Sequence, residues 1–151
     1  MMNKTDFYNW QEHATKLDRV RFGGKASPNI LAIKEYVLKR WGGRNLGVVN
    51  KRKVRGGTAL SSHYYGAAWD WGYNTRARAE TVMNYLVNNS NELGVQMVVD
   101  YVGCRIWTSK NGWRKATPSK SGMGTAWAKW IHVETTKTMW GNNTPVSDRV
   151  R

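Results

Sequence analysis

Cysteine is nearly absent from this chain: Cys104 is the only one in 151 residues, so neither an intrachain disulfide nor a cysteine-rich zinc site can form. Its apolar surroundings, Val102 to Ile106, predict a buried and unreactive thiol in a strand. Acidic residues are scarce as well, 10 against 24 lysines and arginines, which leaves a net charge of +14 and a surface suited to polyanions. No stretch approaches the roughly 20 apolar residues of a membrane span. Residues 1–6 carry no apolar core, so a soluble product without a secretory leader is expected. Histidine is limited to positions 13, 63 and 132, so any histidine chemistry must use these three.

What is present is a globular composition, 40% hydrophobic with nine tryptophans, at a length typical of one domain. There is no internal repeat or low-complexity tract. Phe7, Trp10, Leu17, Val20 and Phe22 recur at roughly helical spacing before Gly23, predicting an N-terminal helical segment over residues 1–26. His13 lies on that segment as a structural residue. Ser27-Pro28 opens a clearer helix, with Ile30, Ile33, Val37, Leu38 and Trp41 as its apolar stripe and Gly42-Gly43 as its stop. A third helix is predicted over residues 76–89, capped by Asn74 or Thr75, with Ala79, Val82, Met83 and Leu86 buried.

Strands are predicted near Val48-Val49, near 68, over residues 95–102, over 105–108 and around 130–134, with one more short strand after Glu134. Residues 110–129, rich in Gly, Ser, Lys and Trp, read as a long surface loop in which Trp113 and Trp127 are candidates for stacking on a sugar or peptide. From Gly141 onward the composition is that of a tail. The fold class expected is therefore α+β: a small, mainly antiparallel sheet flanked by helices, in one main domain over residues 27–140.

Residues 61–70 carry the chemistry. His63 and Asp70 stand seven positions apart around Gly66, a spacing that suits a looped segment folding both side chains toward one point. A catalytic zinc ion takes three protein ligands and keeps a further position open. His132, in the alternating stretch Trp130-Ile131-His132-Val133-Glu134, supplies the third donor, giving a metal set of His63, Asp70 and His132.

The pattern Ser61-x-His63-x-x-Gly66-x-Ala68-x-Asp70 resembles the zinc D-alanyl-D-alanine metallopeptidases. That family includes peptidoglycan carboxypeptidases, dipeptidases and phage L-alanyl-D-glutamate-type endolysins. The segment around His132 resembles the family's third-ligand strand. The resemblance implies a zinc peptidase that cuts peptidoglycan stem peptides, with zinc on the open face of the sheet. It also implies a substrate-steadying arginine upstream of His63, for which Arg52 and Arg55 are the nearest choices.

One position departs from the pattern. Many members carry an acidic general base three residues before the last histidine, where this chain has Lys129, and others carry a histidine at the place of Trp130. Glu134 is then either the acid/base or a partner that orients His132, and Asp100, inside an apolar strand, is the second candidate. Without a leader, such an enzyme would reach the wall after release from a host cytoplasm or as part of a virion. Bacterial peptidoglycan and anionic wall polymers are the expected partners. Two other readings stand beside this one: a relative that keeps zinc without cleaving, serving as a wall-binding or virion component, and a basic nucleic-acid binder whose aromatic residues stack on single strands.

Overall fold

The computed structural model describes residues 5–50, 60–116 and 129–150. Side-chain caps open four of the helices. Asn9 accepts from the amides of Gln11 and Glu12 to open α1 (Trp10–His13), and Thr15 and Asp18 form a reciprocal capping box that opens α2 (Lys16–Phe22). The Ser27 hydroxyl accepts from the Ile30 amide at the start of α3 (Pro28–Trp41), which ends at Gly42 with φ 73°. Thr75 does the same for α4 (Arg76–Asn88), followed by the single turn α5 (Ser90–Leu93); α6 (Val146–Arg149) comes near the end of the chain.

Six strands make one antiparallel sheet: β1 (Arg44–Asn45), β2 (Ala68–Gly72), β3 (Val95–Asp100), β4 (Arg105–Thr108), β5 (Gly112–Lys115) and β6 (Trp130–Thr135). Their spatial order is β1-β2-β6-β3-β4-β5, so β6 pairs with both β2 and β3 at the centre. The fold is α+β in a single domain. Strand alternation sorts the side chains by face. Trp69, Trp71, Val98, Trp107, Ile131 and Val133 pack against Ile30, Ile33 and Val37 of α3 and Val82, Met83 and Leu86 of α4. Each such burial is worth about 1.5–3 kcal/mol against exposure. The alternate positions, among them Asp70, His132 and Glu134, therefore fall on the face away from these helices.

That second face is floored by Val99 and Tyr101 with Met97, Ile106 and Trp130. Beside it the N-terminal segment packs Trp10 and Phe22 against Tyr65 and Ala67, and the Trp10 indole donates to the Thr135 carbonyl at 3.1 Å. No helix among the described residues is long and apolar enough to cross a membrane.

Several expectations are corrected. The N-terminal stripe is not continuous: the capping box at Thr15 resets the helical phase, so Leu17 and Val20 are 61% and 74% exposed while Asp18 is buried. The strand expected at Val48-Val49 is instead the two-residue β1, although Val48 is buried. Residues 112–115, expected in a loop, form β5, and Trp113 lies under the Arg105 guanidinium, 4.1 Å from its ring centroid. The stretch after Thr135 is a 3-10 turn, Lys137–Met139, not a strand. The expected tail contains α6, whose Val146 enters the core. Cys104 is half-buried in the β3–β4 turn at φ 51° rather than buried in a strand. Arg52, Arg55 and Trp127 lie outside the described residues.

Candidate metal centre

Three local devices bring His63 and Asp70 together. Residues 62–65 form a 3-10 turn opened by Ser61, whose hydroxyl accepts from the His63 amide at 3.2 Å. Gly66 then takes a left-handed conformation at φ 62°, where a Cβ would collide with the Lys25 carbonyl oxygen. Ala67 and Ala68, both fully buried, start β2, and Asp70 follows on the face opposite Trp69 and Trp71. Asp70 sits directly across from His132 in the β2–β6 pairing.

The Asp70 carboxylate bridges the two imidazoles. Its Oδ2 lies 3.2 Å from His63 Nε2 and its Oδ1 lies 3.1 Å from His132 Nδ1. The rings stand 5.1 Å apart at 72°. One donor atom from each of the three residues falls within 4.8 Å of the others, so the group can hold a metal ion. The side chains are 8%, 21% and 12% exposed for His63, Asp70 and His132, which leaves the carboxylate as the most open of the three.

The outer partners suit ligation. His63 Nδ1 donates to the Val48 carbonyl at 2.8 Å, which leaves Nε2 as the nitrogen that faces Asp70. On the other ring, His132 Nε2 faces Glu134 Oε1 at 3.3 Å and leaves Nδ1 toward Asp70. Metal-bound histidines are held in this way by a carbonyl or carboxylate on the second ring nitrogen. Two nitrogens and one carboxylate match the donor chemistry of zinc, so the residues present fit the ion.

Between them, Glu134 and Asp70 make this a strongly ionic cluster. Burial opposes a charge on His132, but hydrogen bonds to Asp70 and Glu134 overcome it and push the imidazole up to about 10. Burial likewise raises the Asp70 carboxyl, and the two histidines more than reverse this, holding it well below the usual range. A divalent cation bound by these residues would compete with the proton of His132, so its binding would release protons.

A family model described as the VldE C-terminal domain matches residues 23–127, more than half of the chain. The chain belongs to that family. The match contains His63 and Asp70 and stops short of β6, which carries His132. No curated protein and no solved structure matches the chain.

The remaining candidates are separated from one another. Asp100 is not part of this group: its partner across β3–β6 is Ile131, a core residue, so its carboxylate turns to the helix side of the sheet. There it accepts from Arg76 at 2.9 and 3.0 Å, from Arg105 Nε at 3.0 Å and from the Gly103 amide at 3.0 Å. Burial raises that carboxyl and these donors, Arg76 foremost, bring it below its ordinary value. Its charge is thus held by an ion-pair network that also takes in Glu80.

Glu134 does join the site, from behind His132. It is buried, and besides His132 it accepts from Gln96 Nε2 at 2.9 Å and from the Ser62 hydroxyl. Among the described residues it is the one further carboxylate bonded to the group. Val48, Ser62 and Gln96 were not among the sequence candidates; only the polar Gln96 inside the apolar run 95–99 left a trace to follow.

Proposed function

We propose that the chain is a zinc-dependent peptidase that hydrolyses peptidoglycan stem peptides, in the manner of a phage endolysin or virion-associated lysin. The observation that carries this reading is the convergence of His63, Asp70 and His132 on the sheet face that the helices leave free. The motif over residues 61–70 supports it through its resemblance to the zinc D-alanyl-D-alanine metallopeptidases. A zinc ion bound there supplies Lewis acidity to a scissile carbonyl and acidifies water near neutral pH.

The chain's own residues do the rest. His63, Asp70 and His132 hold the ion, with the Val48 carbonyl and Glu134 keeping each imidazole in its ligating tautomer. Met97, Ile106 and Trp130, half-buried over Val99 and Tyr101, provide the apolar surface beside His132 against which a stem peptide lies, and the Tyr101 and Trp130 rings brace each other at 5.6 Å. The charge of +14 favours anionic wall polymers. Five of the tryptophans, at 10, 41, 69, 71 and 107, are buried, which removes them as stacking platforms for nucleic acid.

Purified protein incubated with bacterial cell walls releases new amino groups, and a chelator abolishes that release. Mass spectrometry of the muropeptides identifies the bond. A chelator-insensitive release, or none with zinc bound, refutes the reading. One observation favours a second reading, in which zinc is held without cleavage: the Glu134 carboxylate is engaged by His132, Gln96 and Ser62, and Lys129 stands where the resembled family has its base.

A further inference from the structure

We infer that Gln96 is a positioning residue of the metal centre, and that it ties the N-terminal segment to the ligand His132. The inference rests on the metal reading above and concerns what keeps that site in shape.

The first observation is a β-bulge. Val95 pairs with Thr135 and Met97 with Glu134, so three residues of β3 span two of β6 and Gln96 is the extra one. Val95 and Val98 point into the helix-side core, whereas Met97 joins the opposite cluster. The bulge therefore puts two successive side chains, Gln96 and Met97, on the site face, and it aims the Gln96 amide at Glu134.

The second observation is how completely that amide is used. Gln96 is fully buried. Its Oε1 accepts from the Tyr8 amide at 2.8 Å, while its Nε2 donates to the Tyr8 carbonyl at 2.8 Å and to Glu134 Oε2 at 2.9 Å. A primary amide is the one side-chain group that offers an acceptor and two donors in this layout. Glutamate lacks the donors, and asparagine is shorter by a methylene.

A chain of contacts follows: Tyr8 backbone, Gln96, Glu134, His132 Nε2, with His132 Nδ1 left toward Asp70. Tyr8 lies before the span matched by the family model, so a segment outside that match reaches the ligand set. Residues 5–9 thereby act as a strap that holds Glu134 in place through a single side chain.

The test uses the full chain with Gln96→Met, which keeps the volume and removes the hydrogen bonds, and Gln96→Glu, which keeps the acceptor alone. Zinc affinity is measured by competition with a chromophoric chelator, and the His132 ring is followed by its nitrogen shifts in the zinc-loaded protein. Both variants are expected to bind zinc about tenfold more weakly and to shift the His132 ring signals while those of His63 stay in place. In the wild type, zinc is expected to slow hydrogen exchange at the Tyr8 amide. Wild-type affinity and unmoved His132 signals in whichever variant folds would overturn the role of Gln96 while leaving the metal site intact. A wild-type protein that binds no zinc would overturn both.

Discussion

Replacing Asp70 by asparagine separates a metal centre from a mere ion-pair cluster. The new side chain keeps the shape of the carboxylate but carries no charge, so the ion pair across the 3.1 Å contact to His132 is lost. Without metal, His132 then carries its charge with one anionic partner fewer. Breaking a buried pair costs about 3–5 kcal/mol, and the partial exposure of this cluster argues for the lower end. For a chain of this length that corresponds to a fall in melting temperature of roughly 6–12 °C. Zinc binding would add to this. At 100 times its dissociation constant zinc is expected to stabilise the wild type by about 2.7 kcal/mol, a rise of roughly 5–11 °C. The variant, left with two neutral ligands, is expected to show no such rise. Thermal melts of both proteins with zinc and with chelator measure all four states. The pH dependence carries its own sign: His132 is raised to about 10, so its contribution in the metal-free protein is complete below about 6.5 and is lost as pH rises through about 10. The metal-free gap between the two proteins should close over that window. A zinc-induced rise retained in Asp70→Asn, or none in the wild type, refutes the assignment.

Glu134→Gln is expected to keep activity within about tenfold at saturating zinc, because Glu134 holds His132 from behind. A loss of about 100-fold or more at saturation, the size of a general-base contribution, would make it the proton acceptor instead. Asp18, buried against Lys137, Tyr8 and the Thr15 amide, has its carboxyl lowered to about 2 despite its burial. Because the folded value lies below the unfolded one, it contributes about 2 kcal/mol above about pH 4, lost as pH falls toward about 2. Urea melts of wild type and Asp18→Asn should therefore differ at about pH 7 and converge near about pH 2, and equal stability at neutral pH would contradict this. Gly66→Ala puts a Cβ into the Lys25 carbonyl at a positive φ and should cost more than about 1 kcal/mol and abolish the zinc-induced rise; a variant with wild-type melting and zinc response would show that the turn does not set the ligand geometry.

How much of this was legible in the sequence follows from how local each cause is. The Ser27-Pro28 helix start, the β3, β4 and β6 strands and the turn that joins His63 to Asp70 rest on patterns within a few residues, and each is found where those patterns put it; the sheet then brings His132 beside that pair, in a group that could hold a metal ion. Non-local causes were not legible. β1 consists of two exposed residues that become a strand only because Gly72 and Trp71 offer an edge. β5 has no alternation of its own, and it exists because the residues of β4 stand opposite it. The N-terminal phase failed because Thr15 restarts a helix and the Tyr8 hydroxyl and Lys137 recruit Asp18 inward.

Asp100 and Glu134 show the same limit at the level of chemistry. Both are carboxylates in apolar strands, and from sequence alone each has a claim to the proton-transfer role. What separates them is one step of strand register. Asp100 lies opposite Ile131 and so meets Arg76 and Arg105 on the helix side, whereas Glu134, two residues beyond His132, shares its face and closes on its ring. The bulge at Gln96 sharpens this further. Without the extra residue, strict alternation would turn Gln96 toward the helices when Met97 faces the site, and Glu134 would lose the amide that holds its second oxygen. The residues of the candidate centre are thus written in a ten-residue motif and a strand, but the amide that holds Glu134 behind His132 depends on a register irregularity that no local pattern announces.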